Sequence, residues 1–575
     1  MSETVAQQLV TTLTRAGVER VYGLPGDSLN GFTDALRRDG GLAWVHVRHE
    51  EAAAFAASAE AALTGDLAVC AASCGPGNLH LINGLYDANR SRVPVLAIAA
   101  HIPSAEIGGS YFQETHPQDL FRECSVYCEL VSSPEQLPRV AEMAMRAAIE
   151  QRGVAVLVVP GDVLEAKAHD TGERPAIRPT QTVARPADLA LDAAAAALNQ
   201  AERPAILAGA GCEGAHAELV ALAGALKAPI VHTLRGKEHV EYDNPYDVGM
   251  TGLLGISSGY RALEHCDVLV MLGTDLPYRQ FYPEDATVIQ VDTRGEHIGR
   301  RVPVDLPLVG TVKDTIDALL PRLIPGKSAE YLERMQREFA KAQHKLGKLE
   351  SDATPMHPET VAGAIDALAA DDAIFIPDVG TPVIWAARHL HMNGRRRLIG
   401  SFNHGSMANA LAQAIGAQAS HPGRQVVALS GDGGLAMLLG DLITLRQNQL
   451  PAKIVVFNNG SLGFVELEMK AAGIVNFGTE LENPDFAAVA TALGLYGQRV
   501  SDPAGLQDAL RAAFAYDGPA LVEVMVARQE LSLPPTITRE QVKGFALWGA
   551  RTVLSGRGDE LIDLAHTNPL RRLLG

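Results

Sequence analysis

Asp432 and Asn459 are placed where polar side chains can do chemistry. The run Val426-Val427-Ala428-Leu429-Ser430 precedes Gly431-Asp432-Gly433-Gly434, and Lys453-Ile454-Val455-Val456-Phe457 precedes Asn458-Asn459-Gly460-Ser461. Between them the pattern predicts a helix from about Ala436 to Asn448, ended by Leu450-Pro451. A strand, helix and strand of this length form a right-handed crossover with the two strands parallel and adjacent. Both polar residues then lie past the carboxyl ends of their strands, where open α/β sheets bind ligands. Asp432, Asn459 and a carbonyl at Ser461 offer hard oxygens of the kind that hold magnesium shared with a phosphate group. The glycines at 431, 433 and 434 allow a close backbone approach to a diphosphate. Gly-Asp-Gly alone reads more readily as a tight turn than as a site; the second strand with its Asn pair turns the balance to a metal–diphosphate site.

Other candidates need more context. Arg48-His49-Glu50-Glu51 precedes an Ala-rich helix, Ala52 to Ala62, and a glutamate there ordinarily serves the helix dipole. Ser73-Cys74-Gly75-Pro76-Gly77-Asn78 is a turn into a helix whose free N–H groups suit an anion or a ring. Gly209-Ala210-Gly211-Cys212-Glu213-Gly214 matches Gly-x-Gly-x-x-Gly after a strand, but Ile230-Val231-His232 supplies no carboxylate for a ribose, so a plain turn is favoured. Gly273-Thr274-Asp275-Leu276-Pro277-Tyr278, with Asp292 ending the next strand, suits a nucleotide's diphosphate and ribose as well as it suits two surface loops.

The elements that must position these residues are short apolar runs bounded by turns: Leu67–Ala72, Val93–Ala100, Val154–Val159, Ala205–Leu207, Ile230–His232, Val268–Leu272, Val288–Val291 and Leu521–Val526. Such runs are the mark of parallel strands covered on both faces. Ile374 to Thr381 reads as a strand and loop, and Asn403 to Ala408 opens a helix. The Thr-, Pro- and Arg-rich Ala166–Arg185 stretch and a charged helical run, Ser328 to Glu350, separate three such units, and the first and third look like two versions of one fold. The expected class is α/β, with three doubly wound parallel-sheet domains at 1–182, 183–333 and 334–530 and a tail at 531–575.

The 575 residues are 47% hydrophobic, enough for large cores, and carry a net charge of −18, which with no long basic block argues against nucleic acid as a partner. The start lacks the basic and apolar regions of a signal peptide, and no run approaches the length of a membrane span. Six cysteines, among them the pairs Cys70/Cys74 and Cys124/Cys128 spaced as on one helix face, lack the partners of a four-ligand metal site and read as reduced thiols. A cytoplasmic protein is expected.

Taken in order, Arg48-His49-Glu50-Glu51, Gly405-Ser406-Met407 and Gly431-Asp432-Gly433 to Asn459 resemble thiamine-diphosphate enzymes of the pyruvate oxidase and acetolactate synthase group. Phe112-Gln113-Glu114-Thr115-His116-Pro117, Leu234-Arg235-Gly236-Lys237-Glu238-His239 and Gly400-Ser401-Phe402-Asn403-His404-Gly405 are most similar to the branch that passes electrons to a membrane quinone. The resemblance implies that the three domains bind pyrimidine, FAD and diphosphate. It implies that Glu50 touches N1′ of the aminopyrimidine, that Met407 wedges between the cofactor's rings and that the Gly405 carbonyl accepts from its amino group. Asp432, Asn459 and the Ser461 carbonyl would hold Mg2+, with Gly380, Ser406, Gly433, Gly434, Gly460, Leu462, Gly463, Phe464 and Val465 also contacting thiamine diphosphate. Phe112, Gln113, Phe464 and Glu468 match positions near the reacting centre. Thr251-Gly252-Leu253-Leu254, Thr274 to Tyr278 (Asp275, Leu276 and Pro277 included) and Asp292 match the flavin loops.

The activity so implied is oxidative decarboxylation of pyruvate to acetate and CO2, with electrons passing through FAD to ubiquinone or menaquinone. A phosphate-dependent pyruvate oxidase, an acetolactate synthase and a non-catalytic nucleotide-binding protein are the alternatives. The resemblance further implies a homotetramer with active sites at dimer interfaces, Glu50 reaching a neighbouring subunit's cofactor. A lipid-responsive tail would hold the protein on the cytoplasmic face of the membrane. Leu561, Ile562, Leu564, Ala565 and Leu570-Arg571-Arg572-Leu573-Leu574 suit an interface or an ordinary helix equally.

Overall fold

A computed structural model describes residues 3–169, 177, 180, 183–347, 353–528, 530, 539–555, 561 and 564. Its strands form three six-stranded sheets in which every pairing is parallel. The first holds β1 (Arg20–Gly23), β2 (Ala43–His46), β3 (Ala68–Ala72), β4 (Val95–His101), β5 (Tyr127–Leu130) and β6 (Val154–Pro160), in the order β2-β1-β3-β4-β6-β5. The second holds β7 (Pro204–Ala208), β8 (Ile230–His232), β9 (Asp247–Met250), β10 (Val268–Leu272), β11 (Thr287–Asp292) and β12 (Leu306–Val309), in the order β12-β11-β10-β7-β8-β9. The third holds β13 (Ile374–Pro377), β14 (Arg397–Leu398), β15 (Val426–Gly431), β16 (Lys453–Asn458), β17 (Tyr496–Val500) and β18 (Ala520–Met525), in the order β14-β13-β15-β16-β18-β17.

The first and third sheets therefore share one winding. Their order reverses between β1 and β3, and again between β13 and β15; in the second sheet the reversal lies between β7 and β10. A crevice opens outside the strand ends at each such point. The strands are near-continuous in burial, as parallel strands covered by helices must be.

One apolar core joins the first and third sheets. It runs from Tyr22, Cys70 and Val156 on one side to Ile376, Ala428 and Val456 on the other. Between the sheets lie the helices Glu50–Thr64 and Asn409–Ser420, both rich in Ala and buried along almost their whole length. Small side chains bring their backbones together: a Cβ on Gly416 would stand 1.9 Å from the Ala56 carbonyl oxygen. Backbone cannot yield there as a side chain can, so Gly416→Ala is expected to lower stability by about 3 kcal/mol. A fall in the thermal unfolding midpoint checks this, and an unchanged midpoint would show that the two helices are not closely packed.

Two expectations are corrected. The helix read as Ala436–Asn448 begins at Asp432, runs to Met437, and resumes as Leu442–Gln447 after a tight turn at Leu439–Asp441. At that turn Asp441 accepts from the Arg48 backbone N–H and the Thr444 hydroxyl, which ties it to the first sheet. The cysteine pairs do not share a helix face, since Cys70 lies in β3, Cys74 in the turn after it and Cys128 in β5. All six are free thiols, and burial pushes those of Cys70, Cys124, Cys128, Cys212 and Cys266 up to about 12. Among the described residues no helix is long and apolar enough to cross a membrane. Ile562, Ala565 and Leu570 to Leu574 of the tail lie outside the described residues.

Candidate active site

The crevice at β13 and β15 gathers the largest group of expected site residues. Asp432 follows β15 and is 3% exposed. Its Oδ1 accepts from Gly433 N at 2.9 Å, and its Oδ2 from Gly460 N and Asn483 Nδ2, both at 2.8 Å. Among the described residues these partners are neutral N–H groups, and burial pushes the carboxyl above its ordinary range. A buried carboxylate without a cation is costly, so the position suits a bound metal ion.

The neighbouring loop supplies further oxygens. Asn459 Oδ1 accepts from Ser461 N at 3.1 Å, and Gly463 N donates to the Ser461 carbonyl at 2.9 Å. Each of these oxygens keeps a lone pair. The Ser461 hydroxyl turns away to Glu466, a buried carboxylate also bonded by Thr479 and Arg528. The loop stays narrow because Gly460 has φ +66° and because a Cβ on Gly463 would stand 2.8 Å from Asn459 Nδ2. Leu462 and Met407 converge on Gly433, where a Cβ would meet Leu462 Cδ2 at 3.0 Å and Met407 Cε at 3.3 Å. Gly405, at φ +83°, and Ser406, whose N–H donates to Ser401 Oγ, shape the turn that presents Met407. Gly380, at φ +140°, opens the helix Thr381–His389 on the same side. The hard oxygen set and the glycine-lined cradle fit a magnesium-bound diphosphate.

Glu50 stands elsewhere in the chain. It is the first residue of Glu50–Thr64, with His49 as the N-cap accepting from Glu51 N, and is 6% exposed. Its Oε2 lies 2.8 Å from His80 Nδ1, and a Cβ on Gly77 would come 3.1 Å from Oε1. His80 stacks on His49 with ring centres 4.3 Å apart. Gln113, at φ +62°, faces the same turn: its Oε1 accepts from the Cys74 thiol, and a Cβ on Gly75 would meet its Cβ at 2.8 Å. Phe112 beside it is 76% exposed. Among the described residues none of Glu50's hydrogen-bond partners comes from the Gly431–Val465 loops. It is Glu51 that links to the Met407 turn in the same chain, through Asn83 Nδ2, which donates to Glu51 Oε1 at 2.7 Å and to Ser406 Oγ at 2.9 Å.

The third group surrounds the β7–β10 reversal. Gly209, Gly211 and Gly273 pass against one another, a Cβ on Gly209 coming 2.5 Å from the Gly273 carbonyl oxygen. The Gly-x-Gly run thus lets two loops cross and forms only a short turn at Ala210–Cys212. Thr274 is buried beside it. Thr251, before Gly252 at φ +94°, is buried with its hydroxyl unbonded among the described residues. Asp292 is buried at the end of β11 and accepts from Arg294 N at 2.9 Å. This unbonded buried hydroxyl after β9 and the acid at the end of β11 stand on either side of the β7–β10 crevice, donors and acceptors of the kind a nucleotide cofactor uses. Asp275 is held by Arg301 at 2.7 Å, and the Leu276 carbonyl accepts from Tyr282. Pro277 and Tyr278 continue that loop, Tyr278 being 38% exposed, and burial and then the Glu468 charge raise its hydroxyl pKa. Leu254 and Phe464 pack against one cluster with Phe402, while Leu253 is half-buried and Val465 and Glu468 face outward.

Sequence reasoning missed His80, Asn83 and Asn483, which no motif marks because their partners are distant in the chain. It read Asp378 only as part of a loop, although the acid directly follows a strand and precedes Gly380.

Comparison with known proteins gives three matches in chain order. Residues 3–121 match the thiamine pyrophosphate enzyme N-terminal TPP binding domain, 191–319 the central domain and 378–524 the C-terminal TPP binding domain. YdaP of Bacillus subtilis, named as a thiamine pyrophosphate-containing protein, is 38% identical over 99% of both chains. The pyruvate oxidase of Lactiplantibacillus plantarum is 31% identical over 90% of this chain and 88% of its own. The acetolactate synthase isozyme 2 large subunit of Escherichia coli is 30% identical over 91% of this chain and 96% of its own.

Proposed function

Because the chain belongs to the thiamine pyrophosphate enzymes, we propose that it converts pyruvate and water to acetate, CO2 and two protons, delivering the two electrons taken from pyruvate through FAD to a membrane quinone. The buried Asp432 carboxylate, bonded among the described residues only by neutral N–H groups and set beside the Asn459 and Ser461 oxygens, carries the thiamine diphosphate part of the reading. Those three residues would hold Mg2+ with the diphosphate, and Met407 and Leu462, which converge on Gly433, would position the cofactor. When bound, thiamine diphosphate supplies the electron sink that lets a 2-oxo acid lose CO2, and FAD the two-electron acceptor.

Glu50 does its work with one oxygen. Oε2 is committed to His80, which leaves Oε1, beside Gly77, to hold a proton at N1′ of the pyrimidine. Its separation within the chain from the Asp432 loops supports delivery to a neighbouring subunit's cofactor, in a homotetramer with sites at dimer interfaces. Gln113, held by the turn at Gly75, orients pyruvate, with the exposed Phe112 covering it. The unbonded Thr251 hydroxyl, Thr274 and Asp292 support a flavin in the second sheet's crevice, with Leu254 touching the same cluster as Phe464. The likeness to a pyruvate oxidase supports the substrate. Lipid contact, on the cytoplasmic face of the membrane, is assigned to the tail.

Anaerobic incubation with pyruvate and a soluble quinone, without phosphate, tests this. Acetate and quinol in equal amounts are expected, with bleaching of the flavin spectrum by pyruvate alone. Acetyl phosphate formed only when phosphate is added would indicate the phosphate-dependent oxidase. Acetolactate without quinone reduction would indicate the synthase, and no product from cofactor-loaded protein a binding function.

A further inference from the structure

We propose that Asp378 is a positioning residue that pins the Met407 turn to the Gly431–Gly434 turn and so fixes the two sides of the thiamine diphosphate site. Asp378 is the first residue beyond β13, at the reversal between β13 and β15, and is 1% exposed. Its Oδ1 accepts from Ala410 N at 3.4 Å, and the N–H groups of Ala408, Asn409 and Gly431 also bear on the carboxylate. The backbone is clamped on either side of it. Asp378 N donates to the Leu429 carbonyl at 2.8 Å, Val379 N to Asn409 Oδ1 at 3.1 Å, and Asn409 Nδ2 to the Pro377 carbonyl at 3.1 Å.

The other oxygen points across the crevice. Oδ2 is buried with no hydrogen-bond partner among the described residues, and a Cβ on Gly434 would stand 1.8 Å from it. One carboxylate thus gathers N–H groups from the turn carrying Met407 and fills the space under the turn carrying Asp432. Ala408, between Met407 and Asn409, has φ +67°, a left-handed conformation that strains a residue with a Cβ. The fan of N–H groups needs the Asp378 acceptor to keep that conformation; without it Ala408 relaxes and Met407 turns away from Gly433. Burial pushes the carboxyl up to about 7 even though those N–H groups favour its charged form.

The inference rests on the thiamine diphosphate part of the proposed function and not on its substrate or electron acceptor. Wild-type protein that binds the cofactor but does not oxidise pyruvate would overturn that function and leave the affinity comparison readable. The test is thiamine diphosphate affinity at fixed Mg2+, by titration calorimetry, for Asp378→Ala, Asp378→Asn, Gly434→Ala and the Asp378→Ala/Gly434→Ala pair. Asp378→Asn keeps the volume and serves if the alanine variant does not fold. A loss of about ten- to a hundredfold in affinity is expected at Asp378, the range for residues that orient ligand-holding groups. In loaded protein the turnover number should fall with KM for the 2-oxo acid unchanged. Gly434→Ala should weaken binding alone, and the pair should bind better than Gly434→Ala, since removing the carboxylate opens room for the new methyl. Wild-type affinity in both Asp378 variants, additive effects in the pair, or equal losses of thermal stability with and without cofactor at unchanged affinity would overturn it.

Discussion

Replacing Glu50 by glutamine is expected to cut turnover about 10²- to 10⁴-fold, the range for a proton-transferring group, while magnesium-dependent cofactor binding survives. Glutamine matches glutamate in shape and still meets His80 across 2.8 Å, so the start of the helix Glu50–Thr64 should keep its packing. What is lost is the negative charge that holds a proton at the pyrimidine ring. The Asp432 loops contain none of Glu50's hydrogen-bond partners among the described residues, which is why affinity and turnover should separate. Steady-state rates beside calorimetric affinities read the two effects independently. Wild-type turnover in Glu50→Gln would remove Glu50 from the chemistry, and loss of both together would make it a structural residue.

Asp432→Asn carries the second large effect. The carboxylate receives N–H groups from Gly433, Gly460 and Asn483, and an asparagine can still accept at one oxygen. Its amide nitrogen, however, faces a donor, and it brings no charge to a cation. Removing one member of a buried charged pair costs about 3–5 kcal/mol, so affinity for Mg2+ with thiamine diphosphate should fall by roughly two orders of magnitude or more. Thermal unfolding of the cofactor-free protein should change far less, because that state gains relief from a buried, uncompensated charge. Binding at wild-type magnesium dependence would place the metal on other ligands.

Much of this arrangement is legible in the chain. The buried strands β4, β6, β10 and β16 stand out as apolar runs, and the acid and amides that follow strands fall where parallel sheets open. The short strands were harder. β1 and β2 have four residues each, β14 has two, and β17 keeps most of its residues partly exposed. β9 hides in an Asp- and Gly-containing segment and pairs with β8 across a register shift. The break at Leu439–Asp441 depends on Asp441 finding Arg48, a contact nearly four hundred residues away in sequence. His80, Asn83 and Asn483 share that difficulty, since their roles exist only once separate crevices have formed. The glycines gave mixed signals: Gly434 and Gly463 keep space beside polar side chains, whereas Gly209 and Gly211 make room for another loop's backbone.

The seam between Glu50–Thr64 and Asn409–Ser420 also bears on how the chain is made. One alanine-faced helix leaves the ribosome some 350 residues before its mate, a delay of roughly 20–70 s at ordinary elongation rates of about 5–20 residues per second. During that interval the helix Pro76–Ser91 and β3 can cover part of the first helix, but the face that meets Asn409–Ser420 stays open, and a second nascent copy presents the same face. Dilution, chaperone capture or a slowed start to translation would therefore be the levers that govern how much of this protein is recovered folded.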